Sequence, residues 1–89
     1  MSSDEDLIVA TVRAIPEGFV RTYGDIWPPA PRLTGRVLKT TTESLPWWRV
    51  VRADGTLAAG AEQRARLIAE GIPLRSGRVD LDKVRLPDG

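Results

Sequence analysis

The sequence predicts a mainly α-helical fold, a winged helix-turn-helix carrying a small β-hairpin, and three observations predict it. Apolar residues recur at helical spacing in separate segments: Ile8, Val12 and Ile15, then Leu33 and Val37, then Ala61, Ala65 and Ile68. A short capped helix, a proline-broken turn and a basic helix follow one another between about residues 22 and 39, which is the order of a helix-turn-helix. Arg49 to Arg52, then Ala53-Asp54-Gly55, then Thr56-Leu57-Ala58 have the strand, turn and strand composition of a hairpin or wing. At 89 residues the chain has room for one core, so residues 1–89 are expected to be a single domain.

Each element has a local cause. Ser3 before Asp4, Glu5 and Asp6 is a helix start, because the hydroxyl caps free amides and the acids suit the positive end of the dipole. That helix spans about 4–14, buries Ile8, Val12 and Ile15 with Leu7 beside them, and stops at Pro16-Glu17-Gly18. Thr22 can cap a second helix, with Asp25 returning the bond, and Pro28-Pro29-Ala30-Pro31 ends it within about a turn. Trp27, next to those prolines, is expected in core or turn packing. The third helix opens at Pro31 and runs through Lys39, with Leu33, Val37 and Leu38 inward and Arg32, Gly35, Arg36 and Lys39 on the other side. Gly35 costs ~1 kcal/mol there relative to alanine, which points to the close approach of another backbone. A helix over about 61–70, stopped by Gly71, buries Ala61, Ala65 and Ile68 with Leu67 beside them. The tail, turning at Ser76-Gly77, is expected to pack back as an irregular lid.

Composition removes several kinds of chemistry. With no cysteine and no histidine there is no disulfide, no thiolate nucleophile and none of the usual zinc ligands or general bases. No cofactor and no metal are expected. The acidic start Met1-Ser2-Ser3-Asp4-Glu5-Asp6 is unlike a signal peptide, and no apolar run approaches the ~20 residues of a membrane span, so a cytoplasmic protein without a membrane partner is expected. The net charge of +1 is unevenly spread. Residues 1–19 set Arg13 against Asp4, Glu5, Asp6 and Glu17 for −3, whereas residues 20–52 set Arg21, Arg32, Arg36, Lys39, Arg49 and Arg52 against Asp25 and Glu43 for +4. The remaining residues balance, so the middle third is the electropositive face of an otherwise neutral chain.

Pro46-Trp47-Trp48-Arg49-Val50 stands within that basic stretch. If the segment opens a strand, the two indoles point in opposite directions, one to the core and one to a cleft where it can stack on a base. Taken together, Ile15-Pro16-Glu17-Gly18, Thr22-Tyr23-Gly24-Asp25-Ile26, Arg32-Leu33-Thr34-Gly35, Pro46-Trp47-Trp48-Arg49-Val50 and Gly77-Arg78-Val79-Asp80-Leu81 resemble the alkyltransferase-like proteins. These are relatives of the DNA-binding domain of alkylguanine-DNA alkyltransferases, and the resemblance spans roughly residues 5–85.

The resemblance implies a protein that does no alkyl transfer. Those enzymes carry a Pro-Cys-His-Arg-Val motif whose cysteine accepts the alkyl group; here Trp47 stands at the cysteine and Trp48 at the histidine, and an indole cannot replace a thiolate. It implies instead a binder of duplex DNA that flips an alkylated guanine and flags it for repair, acting as a monomer with nucleotide excision repair proteins as partners. Arg32 would enter the duplex in place of the extruded base, Tyr23 would crowd the neighbouring phosphate, and Gly35 would lie where the helix meets the minor groove. Trp47 would wall the lesion pocket, with Trp48, Arg49 and Val50 of the same motif at that site. Arg36, Lys39 and Arg52 suit phosphate contacts.

The residues alone also allow plainer roles: Trp47 and especially Trp48 as core, Tyr23 as packing, Arg32 as a solvated helix residue, and Arg49 as a buried arginine paired with a carboxylate. Two other functional readings stay open. One is a DNA-binding or transcription-associated winged helix without lesion specificity, motivated by the short spacing from Tyr23 to Arg32 and the short loop from Gly55 to Gly60. The other is a protein-interaction domain, motivated by the low net charge.

Overall fold

The computed structural model describes residues 3–87, so Met1, Ser2, Asp88 and Gly89, at the ends of the expected domain, lie outside the description. Helix α1, Asp4–Arg13, begins with the expected Ser3 cap, Oγ accepting from the Asp6 amide at 3.1 Å, and Asp6 adds a return bond that was not expected, accepting from the Ser3 amide at 3.3 Å. The same reciprocal cap starts α2, Tyr23–Ile26, where Thr22 and Asp25 exchange two bonds of 3.1 Å. Arg85 holds Asp25 from the other end of the chain, its Nε 2.9 Å from Oδ2. After Pro28 and Pro29, α3, Pro31–Thr40, starts on a proline that needs no amide partner. Thr34, fully buried on α3, donates its hydroxyl to the Tyr23 carbonyl at 3.2 Å and so fixes α3 against α2 as a helix-turn-helix pair.

The rest of the chain supplies a floor and a wing. A 3-10 turn, Trp47–Arg49, leads into β2, Val50–Val51, which pairs in parallel with β1, Arg21–Thr22. Helix α4 is Gly60–Ala69; β3, Leu74–Arg75, and β4, Arg78–Val79, form an antiparallel hairpin; α5 is Leu81–Val84. Val50 and Val51 are both fully buried but face opposite ways, as strand residues must. Val50 joins Ile8, Val9, Val12, Ile15, Ile26, Val37 and Leu45 around α1 to α3, and Val51 joins Val20, Leu67, Ile72 and Val79 under α4 and the wing. Among the described residues no helix is long and apolar enough to cross a membrane.

Several local expectations are corrected. The tryptophans do not open a strand. In a three-residue turn, neighbours lie about 120° apart rather than opposed. The two indoles therefore meet edge to face, 5.9 Å between centres and 87° between planes.

The hairpin is not the 49–58 segment: β2 pairs with β1, and Thr56 bridges to Arg78. Residues 52–56 make only a tight turn, closed by Gly55 N to Arg52 O and by Arg52 N to Thr56 O. Gly55 is required there: its φ is +85°, and a Cβ would lie 2.5 Å from the Val79 carbonyl oxygen.

The hairpin is in the tail, expected as an irregular lid, where Ser76 and Gly77 both take positive φ, 54° and 75°, as the favoured two-residue hairpin turn demands. On α1, Val9 is buried and Leu7 is exposed. On α4 the inward face is Gln63 and Leu67, not Ala61, Ala65 and Ile68, which are exposed.

Candidate nucleic-acid interface

Helix α3 presents Arg32, Gly35, Arg36 and Lys39 along one edge of a hollow of about 590 Å³, and Tyr23 and Arg52 lie on its wall. All six residues expected to contact DNA thus line one surface. Arg32, Arg36 and Lys39 are exposed, and none makes an ion pair or side-chain hydrogen bond among the described residues. By contrast Arg13, Arg49, Arg66 and Arg85 each pair with a carboxylate. Three uncompensated cations on ten residues of helix leave a positive field directed at whatever approaches α3.

Among the described residues no backbone from outside its own helix comes within 4 Å of where a Gly35 Cβ would lie; a Cβ there would only touch the Tyr23 ring at 3.8 Å. The close approach expected for this glycine is therefore not an internal one, and its bare face opens to the hollow.

A second hollow of about 180 Å³ adjoins the first, sharing Tyr23, Gly35, Lys39 and Ala58, and is closed by Trp47, Leu38, Ala59 and Gln63. Tyr23 therefore stands between the two. Burial raises its hydroxyl pKa, and the charge of Arg52 offsets part of that rise, so the group is a neutral hydrogen-bond donor at neutral pH.

Of the four residues assigned to the lesion pocket, only Trp47 lines this hollow; Trp48, Arg49 and Val50 are placed elsewhere, for separate reasons. Val50 has no exposed surface, being a strand residue turned into the core. Trp48 donates Nε1 to Glu70 Oε2 at 2.6 Å. Arg49 forks onto the same carboxylate, Nε at 3.0 Å and Nη2 at 2.9 Å, and donates Nη1 to the Ile15 carbonyl at 2.8 Å. The plainer reading of Arg49, a buried arginine with a carboxylate partner, describes its geometry.

Glu70, at the end of α4, is thus a hub, since its Oε1 also accepts from the Gly18 amide at 3.2 Å. Burial is the largest single influence on this carboxyl and pushes its pKa up. The hydrogen bonds from Arg49, Trp48 and Gly18, with the Arg49 charge, outweigh it and hold the carboxyl below its ordinary 4.5. Asp25 is held below 3.8, first by its bond from Arg85. Because both folded values are depressed, their stabilisation is complete above 4.5 and is lost as pH falls through them. The melting temperature should accordingly stay level from neutrality to about pH 5 and fall below it; a level profile down to pH 3 would show that these bonds carry no stability.

Gln63 was not expected at the site, and neither were Leu38, Ala58 and Ala59. The Gln63 amide donates to the carbonyls of Trp48 at 3.1 Å and Val50 at 2.8 Å and accepts from the Ala59 amide at 3.1 Å, joining the floor of the small hollow to the start of α4. A glutamine in a helix ordinarily marks a solvated face, so only the carbonyls left free by the 3-10 turn explain its burial. Arg66 is the other addition. Its guanidinium lies 4.7 Å from the Trp48 ring centre and 5.7 Å from that of Trp47, within cation–π range of both.

The family model for the DNA-binding domain of 6-O-methylguanine DNA methyltransferase matches residues 5–72. The chain belongs to that family. As a family member it is similar to the DNA base-flipping protein of Escherichia coli (strain K12), 44% identical over 86 residues, 83% of this chain and 67% of that one. It is also 37% identical to the bifunctional methyltransferase/endonuclease of Picrophilus torridus over 80% of this chain but 28% of the larger protein. Among solved structures, S. pombe Atl1 in complex with damaged DNA containing O6-carboxymethylguanine matches with a TM-score of 0.82 at 25% identity, covering 98% of this chain and all of that one. The alkyltransferase-like resemblance and the mainly helical fold are thereby shown for this family member.

Proposed function

We propose that this chain is a monomeric, cytoplasmic DNA-damage recognition protein that binds duplex DNA through α3, turns an alkylated guanine out of the stack and holds it against Trp47. It transfers nothing, and passes the lesion to nucleotide excision repair. The observation that carries the reading is the continuity of the two hollows: an unpaired cationic edge leads past Tyr23 and Gly35 into a recess with an indole on its wall. The relatives' name, DNA base-flipping protein, and the Atl1 complex with O6-carboxymethylguanine support it. Flipping costs a few kcal/mol of pairing and stacking, which must be returned by filling the gap and by contacts to the extruded base. Arg32, planar, charged and unpaired at the start of α3, suits the first task, and Trp47 the second. Arg36, Lys39 and Arg52 would hold the phosphates, and Tyr23, as a neutral phenol, can donate to the one beside the flipped nucleotide. The absence of transfer is supported by the sequence, since neither a thiol nor an imidazole is present to attack an alkyl carbon.

The test compares a duplex carrying one O6-alkylguanine with its unmodified twin. The modified duplex should bind at least about tenfold tighter, equivalent to ~1.4 kcal/mol, and Arg32→Ala should remove most of that preference. Equal affinities with a steep salt dependence would instead select a phosphate-binding winged helix without lesion specificity.

A further inference from the structure

We propose that the wing carries a second phosphate-binding site for the backbone of the same duplex, formed by Arg75, Arg78 and Lys83. A hollow of about 450 Å³ lies between the β3–β4 hairpin and α5, and these three exposed cations line it with Asp80. Arg75 and Arg78 are direct partners across the antiparallel ladder, so both project from the same face, while their neighbours Leu74 and Val79 turn toward the core. Like charges directly opposite on a two-stranded ladder oppose each other and destabilise it. An anion seated between them removes that repulsion.

Among the described residues no carboxylate is paired with either arginine. Arg75 and Lys83 have no ion pair or side-chain hydrogen bond among the described residues. Arg78 feels the through-space attraction of Asp54 but has no ion pair among the described residues. Asp80 lies in the hollow, but its Oδ1 accepts from the Asp82 amide at 3.1 Å, which leaves three cations against one carboxylate.

The occupant is indicated by how the wing is attached. Thr56 bridges to Arg78, the Gly55 carbonyl accepts from the Val79 amide at 2.9 Å, and the same turn begins at Arg52, which lines the α3 hollow. One hydrogen-bonded turn therefore connects the two cationic surfaces. A polyanion lying along α3 can extend to the wing, and a phosphodiester backbone presents the repeated single charges that two separate cationic hollows can hold.

The inference rests on the DNA-binding reading above, and its test separates the two. Binding of a duplex long enough to extend well beyond the lesion is measured against salt for the wild type and for the R75Q/R78Q/K83Q variant, with melting curves to establish that both are folded. Each phosphate contact contributes about 0.9 to the slope of log affinity against log salt, so the variant slope should fall by roughly 2–3 with the lesion preference unchanged. A single R75E variant, which replaces repulsion across the ladder with attraction, should stay folded and still lower the slope. Unchanged slopes in both variants overturn the wing site. A lowered slope in a protein that shows no lesion preference would keep the wing site and overturn the lesion reading.

Discussion

Glu70→Ala should destabilise the protein by about 3–5 kcal/mol, the cost of stranding a buried charge. The carboxylate side chain is 8% exposed and the Arg49 side chain 15%, so neither group is solvated enough to lose its partner cheaply. Removing it also leaves the Trp48 Nε1 and the Gly18 amide without their acceptor. For a domain whose whole stability is on the order of 5–15 kcal/mol, this is a large share, readable as a drop in the urea midpoint. Arg13→Ala is the contrast: Arg13 and Glu43 are both 54% exposed, and breaking that pair should cost under about 1 kcal/mol. Replacing Arg49 and Glu70 together by apolar residues should recover part of the loss, because no charge is then left alone. A Glu70→Ala variant within about 1 kcal/mol of the wild type would mean that the network is incidental.

That network also explains which features are legible in the chain alone. Signals that act within a turn or so of sequence are legible. Ser3 with Asp6, Thr22 with Asp25 and Pro31 at a helix start each satisfy helix-end groups from within a few residues, and each is present. The cationic edge of α3 is legible too, since helical spacing alone places Arg32, Gly35, Arg36 and Lys39 together. The hidden features depend on partners far along the chain. The hairpin is misplaced by local sequence because both of its expected strands find distant partners: β2 pairs with Arg21–Thr22, nearly thirty residues earlier, and Thr56 bridges to Arg78. Gln63 and Glu70 read as solvated helix residues until the free carbonyls at Trp48 and Val50 and the guanidinium of Arg49 are brought to them. Strand alternation begins later than the motif suggests: it fails for Trp47 and Trp48, which sit in a 3-10 turn, and holds for Val50 and Val51.

Trp47→Ala should lower affinity for a duplex with O6-alkylguanine by roughly 5- to 150-fold, the ~1–3 kcal/mol of one base–aromatic contact, and should leave the unmodified duplex nearly unaffected. The asymmetry is the informative part. Trp47 lines the inner hollow and not the outer one where Arg32, Arg36 and Arg52 stand, so on the proposed reading it meets only a base that has left the stack. Its edge-to-face contact with Trp48 and the Arg66 guanidinium near its ring also support the fold, so the variant should be somewhat less stable. Binding must therefore be measured well below its melting temperature. Trp47→Phe separates the two contributions, since a smaller aromatic keeps a stacking face and should retain more of the lesion preference than alanine does. If alanine and phenylalanine weaken both duplexes equally, Trp47 is a structural residue and the extruded base is held elsewhere. If only the modified duplex is weakened, and alanine weakens it more, Trp47 is the residue that holds the extruded base, reversibly and through its ring face.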